Sequence, residues 1–323
     1  MMICPAPRWS RKGNRVTAVR WAGFLKELGH RVIIRQDYDS SPCDILIALH
    51  ARRSARAIHR FAREHPDRPL VVALTGTDLY RDIRTSRAAQ RSLDLATRLV
   101  VLQPRGLDEL RPAHRPKTRV ILQSTQPTSV PSRNRPVDKT KDFLVCVLGH
   151  LRHEKDPLRT ALATRLLPDN SRVRVTHLGA ALDPAMGRWA RAESARNPRY
   201  SWIGEVAHGR ARGILAQSDL MVLTSRMEGG ANVLSEALVD SVPIVASNIS
   251  STIGILGAQY PGLYPVGDTA KLAVLLSRAE TDRKFYTRLT EWCARLAPRM
   301  APAVERESWQ QLLGELSVTR VPS

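Results

Sequence analysis

Cysteine is scarce in this sequence. Cys4, Cys43, Cys146 and Cys293 stand far apart and form no CxxC pair. Such spacing excludes a structural zinc site and a disulfide framework, and reduced thiols in a cytosolic protein are the direct reading. Long hydrophobic runs are missing too: nothing approaches the ~18–20 uninterrupted apolar residues that a membrane span needs. The amino terminus, Met1-Met2-Ile3-Cys4-Pro5, shows no basic segment followed by an apolar one, so no secretory signal is expected. Aromatic residues are thin at 5%, and few sit among basic ones. With no helix-turn-helix, zinc-finger or aromatic RNA-binding pattern either, a nucleic-acid partner is not expected. Acidic residues are outnumbered, 30 against 50 Lys and Arg, for a formal net charge of +20. The arginines spread over the whole chain with no lysine-rich tail. That suits a GC-rich genome more than a dedicated polyanion partner, and it remains compatible with a cleft that concentrates phosphates.

What is present is an alternation of short apolar runs and amphipathic stretches over 323 residues, enough for two domains. Strands are expected at Arg31–Arg35, Ile45–Leu49, Leu70–Leu74, Leu99–Leu102 and Arg119–Leu122, with helices at Thr17–Leu28, Arg53–Glu64 and Arg84–Ala96. That order implies β/α/β units and a parallel sheet. From Ser124 to Asp142 the pattern stops; the segment holds three prolines, small polar residues and charges, and reads as a linker. Strands resume at Phe143–Leu148, Arg172–Leu178, Tyr200–Ile203, Leu220–Leu223 and Pro243–Ala246, with helices at Leu234–Val239 and Lys271–Ala279. The last stretch, Asp282–Leu316, reads as helical with breaks near Pro298 and Pro302. Two β/α halves joined by such a linker put the expected active site in the cleft between them.

The richest segment is Leu220–Ser247, LMVLTSRMEGGANVLSEALVDSVPIVAS. A buried strand ends in small polar residues, Glu228-Gly229-Gly230 follows, and a helix opens near Ala231 or Asn232. Glycines permit close approach of a ligand to the backbone. Amides at a helix start, with the positive end of its dipole, suit a phosphate or diphosphate. Glu236 lies about one turn inside the helix, within reach of hydroxyls beside such phosphates. Two surface glutamates on an ordinary strand–turn–helix are the bland alternative, disfavoured by the ordered strand, glycine turn, helix and strand.

This segment resembles the donor-binding motif of GT-B glycosyltransferases of the large family 4. The likeness extends along the chain: Gly29-His30-Arg31-Val32 is similar to that family's GH-x-V, Thr75–Tyr80 to its HG-x-D-x-Y loop, and Gly149–Lys155 to its GRL-x-x-x-K phosphate loop. The resemblance implies an α/β GT-B fold, two Rossmann-like β/α/β domains facing each other across a cleft. Residues 1–125 would form the acceptor-side domain, 126–142 the linker, 143–290 the nucleotide-sugar domain, and 291–323 a helical segment packing back towards the first domain. It also implies that Glu236 hydrogen-bonds the donor's ribose, that Glu228 binds the sugar hydroxyls, and that the amides of Gly229, Gly230, Ala231, Asn232, Val233 and Leu234 cradle sugar and phosphate oxygens. Lys155 would neutralise the diphosphate, assisted by His150 and Arg152, with Gly13 and Asn14 adding donor contacts. Two positions depart from the pattern: His150 stands where arginine is usual, and Thr75 where histidine is usual.

A narrower resemblance covers both departures. Arg8–Ala18 (RWSRKGNRVTA), Leu74–Asp82 (LTGTDLYRD), Gly149–Pro157 (GHLRHEKDP) and Glu228–Glu236 (EGGANVLSE) together resemble the selenosugar synthases of selenoneine biosynthesis. That family joins a sugar from UDP-glucose or UDP-N-acetylglucosamine to the selenium of selenophosphate. The implied catalytic group is Glu228, Lys155 and Asp78. The implied acceptor pocket draws on Arg8, Lys12, Arg15, Arg52, Thr75, Gly76 and Thr77, with Arg53 and Arg81 nearby. A small anion with a soft nucleophilic atom asks for a positive pocket and little general-base help. No cofactor or metal is expected: Asp37-Tyr38-Asp39, a lone D-x-D, reads as a turn. The partners expected are a UDP-sugar and selenophosphate, with no nucleic acid and no membrane span; the oligomeric state is left open. A family 4 enzyme acting on a hydroxyl is the first alternative, and a basic nucleic-acid binder the remote one.

Overall fold

A computed structural model of the chain describes residues 1–10, 13–130 and 141–318. They fall into two compact units: Met1–Ser124 with the segment from Pro302 onward, and Thr125–Ala301. Lys12 and residues 131–140 of the expected linker lie outside the described residues.

The first unit is a six-stranded parallel sheet in the order β2-β1-β3-β4-β5-β6. Its strands are β1 (Met2–Ile3), β2 (Ile34–Arg35), β3 (Leu46–Leu49), β4 (Leu70–Leu74), β5 (Arg98–Val101) and β6 (Thr118–Val120). β3 and β4 are buried along their whole length, as continuous apolar runs in a doubly covered parallel sheet must be. Alternate side chains go to opposite faces. Leu46, Ala48, Val72 and Leu74 meet Ile58 and Phe61 of helix Ala55–Glu64. Ile47, Leu49, Val71 and Ala73 meet Trp21 of helix Gly13–Glu27 and Trp309 and Leu312 of helix Pro302–Val318.

That second face carries a buried carboxylate. Glu305 is 1% exposed. It accepts from Arg20 Nε at 2.9 Å, from Trp21 Nε1 at 2.6 Å and from Ser124 N at 2.7 Å, and also from the Ser124 hydroxyl. Trp21 and Trp309 pack edge to face with centroids 4.8 Å apart.

The second unit repeats the design in the order β12-β11-β10-β7-β8-β9, again all parallel. Its strands are β7 (Phe143–Leu148), β8 (Val173–Leu178), β9 (Tyr200–Trp202), β10 (Leu220–Leu223), β11 (Ile244–Ser247) and β12 (Leu263–Tyr264). The chain starts at β7, steps outward through β8 and β9, then returns to the other side of β7 as β10. That reversal opens a crevice at the carboxyl ends of β7 and β10, where ligands of open α/β sheets bind. The first unit reverses in the same way between β1 and β3. Thr125–Val130 is tied to the second unit: Arg212 donates to Thr125 Oγ1 at 2.8 Å, and Thr128 N donates to Asp240 Oδ1 at 3.0 Å.

Several elements differ from the sequence expectation. The strand expected over Arg31–Arg35 pairs only at Ile34–Arg35, where the edge of the sheet leaves Ile33 exposed. The helix expected over Arg84–Ala96 is broken. A π-helical turn, Asp78–Asp82, and a short helix, Ile83–Thr85, come first. Ser86 then turns extended and caps Arg87–Leu95 by accepting from Ala89 N at 3.3 Å. Helices Pro184–Arg196 and His208–Ala216 and the two-residue strands β1 and β12 were not expected.

Removing the Glu305 carboxylate leaves an arginine, an indole and an amide buried without their acceptor. Glu305→Ala should cost about 3–5 kcal/mol of stability. Glu305→Gln should cost less, and urea unfolding midpoints of the two variants against the parent chain check this.

Candidate functional site

Because β7 and β10 are hydrogen-bonded neighbours, the loops leaving their carboxyl ends are forced together. The loop after β7 is Gly149–Lys155 and the loop after β10 is Thr224–Gly230. Arg226 N donates to Glu154 O at 2.8 Å, and Thr224 Oγ1 donates to Lys155 O at 2.8 Å. Across this seam Lys155 Nζ pairs with Glu228 Oε1, which also accepts from Ser225 Oγ at 2.8 Å. Both side chains of the pair are largely buried, 16% and 10% exposed, so the attraction is weakly screened. Asp156 ends the first loop with left-handed backbone (φ 43°, ψ 51°), and its carboxylate takes Arg159 Nε at 3.0 Å.

A second layer fixes the Gly149 turn from behind. Burial pushes the His177 imidazole down to about 4, so it is neutral at pH 7. Its Nε2–H donates to Gly149 O at 3.0 Å, and its Nδ1 accepts from the Tyr200 hydroxyl at 2.8 Å. Gly179 has φ +150°, and a Cβ there would lie 2.1 Å from Gly149 O. Trp202 Nε1 donates to Gly179 O at 2.9 Å.

His150 turns onto the neighbouring loop: its Nδ1 accepts from Ala180 N at 3.0 Å, which puts the ring proton on Nε2. Arg152 Nε is buried and has no hydrogen-bond partner among the described residues, a costly state for a guanidinium nitrogen and one an oxyanion would relieve. Helix Asn232–Val239 begins after Ala231, whose side chain cannot cap it. A helix start not capped by its own side chain suits a bound phosphate. Glu236 is 9% exposed, and its Oε1 lies 3.0 Å from His208 Nε2. The hydrogen bond and charge of Glu236 raise the His208 pKa against its partial burial. Among the described residues the second unit thus pairs Lys155 with Glu228 directly, while His150 is held by Ala180 and Glu236 by His208.

The first unit holds two separate groups of the expected residues. At the ends of β3 and β4, Asp78 is fully buried. Its carboxylate accepts from Gly76 N at 2.8 Å, Thr75 N at 3.1 Å and Ala51 N at 3.0 Å. Those bonds commit Asp78 to shaping the loop. His50, left-handed at φ 72°, reaches Thr77 Oγ1 through Nε2 at 3.2 Å. Burial lowers its pKa despite Asp78 and Asp82 nearby. Arg52 Nε donates to Asp82 Oδ2 at 2.7 Å. Burial is the largest single influence and opposes ionisation of Asp82, but the bond and charge of Arg52, with His50 and Arg81, together hold the carboxyl below its usual range. Thr75 Oγ1 is buried without a hydrogen-bond partner among the described residues. The other group lies beside β1 and β2, where Arg8 and Arg15 share a pocket with Lys26, Arg35 and Gln36. Gly13 starts its helix, and Asn14 O accepts from Cys4 Sγ at 3.6 Å.

His50, His177 and His208 are the residues that sequence reasoning missed. Each acts on a motif residue far away in sequence. A histidine directly after the β3 run was the one available signal, for His50.

A model of the family described as "Glycosyl transferases group 1" matches residues 131–292. Among solved structures, HepE of Anabaena in complex with UDP superposes with a TM-score of 0.66 at 19% identity, over 84% of this chain and 79% of that one. Sucrose-phosphate synthase of Thermosynechococcus elongatus gives a TM-score of 0.69 at 15% identity, over 95% of this chain and 78% of that one. A UDP-forming trehalose-phosphate synthase of Burkholderia xenovorans gives 0.70 at 11% identity, over 95% and 80%. Two parallel six-stranded units with this likeness are the GT-B fold.

Gly179→Ala should lose about 1–3 kcal/mol, because the new methyl meets a backbone carbonyl rather than a movable side chain. Gly209, with open space around its Cα, should tolerate alanine within a few tenths of a kcal/mol. Thermal unfolding of the two variants separates these outcomes.

Proposed function

The chain belongs to the glycosyl transferases group 1 family, and from that premise we propose that it is a selenosugar synthase: a UDP-sugar donates its sugar to the selenium of selenophosphate. HepE has been solved with UDP and with UDP-glucose, which supports a UDP-sugar as donor here. In this reading Glu236 accepts from the ribose hydroxyls and Glu228 from the sugar hydroxyls. Lys155, Arg152, the His150 Nε2–H and the amides from Gly229 to Leu234 receive the diphosphate. Lys155 then divides its charge between Glu228 and the leaving group.

Selenium attacks the anomeric carbon as the bond from that carbon to the UDP oxygen breaks. The electron pair of that bond leaves on the diphosphate, where the positive groups stabilise it. Water then cleaves the selenium–phosphorus bond. Its oxygen goes to phosphorus and a proton to selenium, giving inorganic phosphate and the selenosugar with no change of oxidation state. Arg8, Lys12, Arg15, Arg52, Thr75, Gly76 and Thr77 are the residues assigned to the acceptor, and Gly13 and Asn14 assist the donor.

Asp78 is the observation that carries the acceptor assignment. Its carboxylate already accepts three backbone amides. It is therefore poorly placed to take a proton from a hydroxyl acceptor. An acceptor whose nucleophilic atom is already anionic needs no such base. Asp78 contributes by holding Thr75 and Gly76 in place.

The test is UDP release from UDP-N-acetylglucosamine and from UDP-glucose, with and without selenophosphate. Release that depends on selenophosphate is expected. Release unaffected by it would sink the acceptor assignment, and no release from either donor would sink the donor assignment. Lys155→Ala should lower kcat by about 10²–10³-fold. Arg15→Ala should mainly raise the selenophosphate KM, by about tenfold.

A further inference from the structure

Glu236 sits in an asymmetric setting. It is 11% exposed on its side chain, whereas His208, its hydrogen-bond partner, is 67% exposed. On the inner side lies Cys146 of β7, close enough to feel the Glu236 charge and pushed up to about 12 by burial, hence a neutral thiol at pH 7. Arg212, one turn along the helix from His208, is a fixed cation whose charge acts on that imidazole. It is spent on Asp240, at 3.0 Å and 2.7 Å, and on Thr125 and Gln126. Among the described residues, the one cationic partner facing the Glu236 carboxylate is therefore the imidazole of His208.

The geometry points to His208 as the positioning residue for Glu236, a pH-dependent hold on the carboxylate that receives the ribose. This rests on the donor assignment made above. A carboxylate on a helix turns about its own side-chain bonds, and a diol can use it only when its oxygens are presented together. Holding Oε1 through Nε2–H stops that rotation and leaves Oε2, with the second lone pair of Oε1, for the two hydroxyl protons of the ribose. The hold is charge-assisted while the imidazole is protonated and falls to a neutral hydrogen bond when it is not. Glu236 opposes deprotonation of His208 and Arg212 favours it, with the Glu236 effect the larger. The folded pKa is raised above 6.5, so the charge-assisted hold is complete below 6.5 and is lost as pH rises through that raised value.

The measurement is the Kd of UDP by calorimetry from pH 6 to pH 9 at fixed low salt, for the parent chain, His208→Gln and His208→Ala. Ionisation of UDP itself is common to all three, so each variant is read as a ratio to the parent. At pH 6 the parent should bind about fivefold more tightly than His208→Gln, and at pH 9 within about twofold. His208→Gln should in turn bind better than His208→Ala at every pH, because an amide can still donate to Oε1. Parallel profiles for the parent and His208→Gln would overturn the inference while leaving the donor assignment standing. Parent affinity that rises with pH relative to His208→Gln would also overturn it, making His208 a competitor for Glu236. Failure of the parent to bind UDP at any pH would bring down the donor assignment itself.

Discussion

The pairing of β7 with β10 is the constraint on which the second unit's chemistry depends. Two strands far apart in sequence are made neighbours, and their loops have nowhere to go but against each other. Lys155 and Glu228 meet because of that adjacency. The two opposite charges meet across the seam between the loops, each facing the other. Each side chain thereby finds an opposite charge in a largely dry place, where a lone charge is costly to bury.

Behind that pair stands a rank of uncharged side chains that take no part in charge balance. His177, Tyr200 and Trp202 bond to carbonyls or to one another, and Gly179 lets two backbone segments touch. Their contribution is precision of the Gly149 turn, which they hold from behind. In the first unit Asp78 does the same job with a carboxylate, and His50 accepts a left-handed backbone to reach Thr77. Both units thus spend polar side chains on loop shape at the carboxyl ends of their central strands.

How much of this was legible beforehand follows from where the information lies. Leu70–Leu74, Phe143–Leu148 and Leu220–Leu223 read as strands and are strands over those same residues, because a doubly covered strand needs an unbroken apolar run. The Glu228–Glu236 segment was legible because its glycines, helix start and glutamates are contiguous. β1 and β12 were not, since two residues carry no periodicity. The break at Ser86 was hidden inside a helix-like pattern, because only cap geometry distinguishes an interior serine from a capping one. His177 and His208 escaped notice for a different reason: each acts on a residue 28 positions away, a relation set by packing of separate elements. The family resemblance pointed to residues of the loops themselves and said nothing of the distant side chains that bond to them.

Glu305 and helix Pro302–Val318 carry a consequence for the order of events on the ribosome. The strands of the first unit's sheet precede the second unit in the chain, yet one face, partly covered by helix Gly13–Glu27, is completed only when helix Pro302–Val318 brings Trp309, Leu312 and the Glu305 carboxylate. Everything the second unit needs, from Thr125 to Ala301, has left the ribosome before that helix does. Domains ordinarily complete in the sequence in which they are made. Here the unit that is begun first is completed only after the other, and part of the apolar face of Ile47, Leu49, Val71 and Ala73 waits for its cover while Thr125–Ala301 is being made.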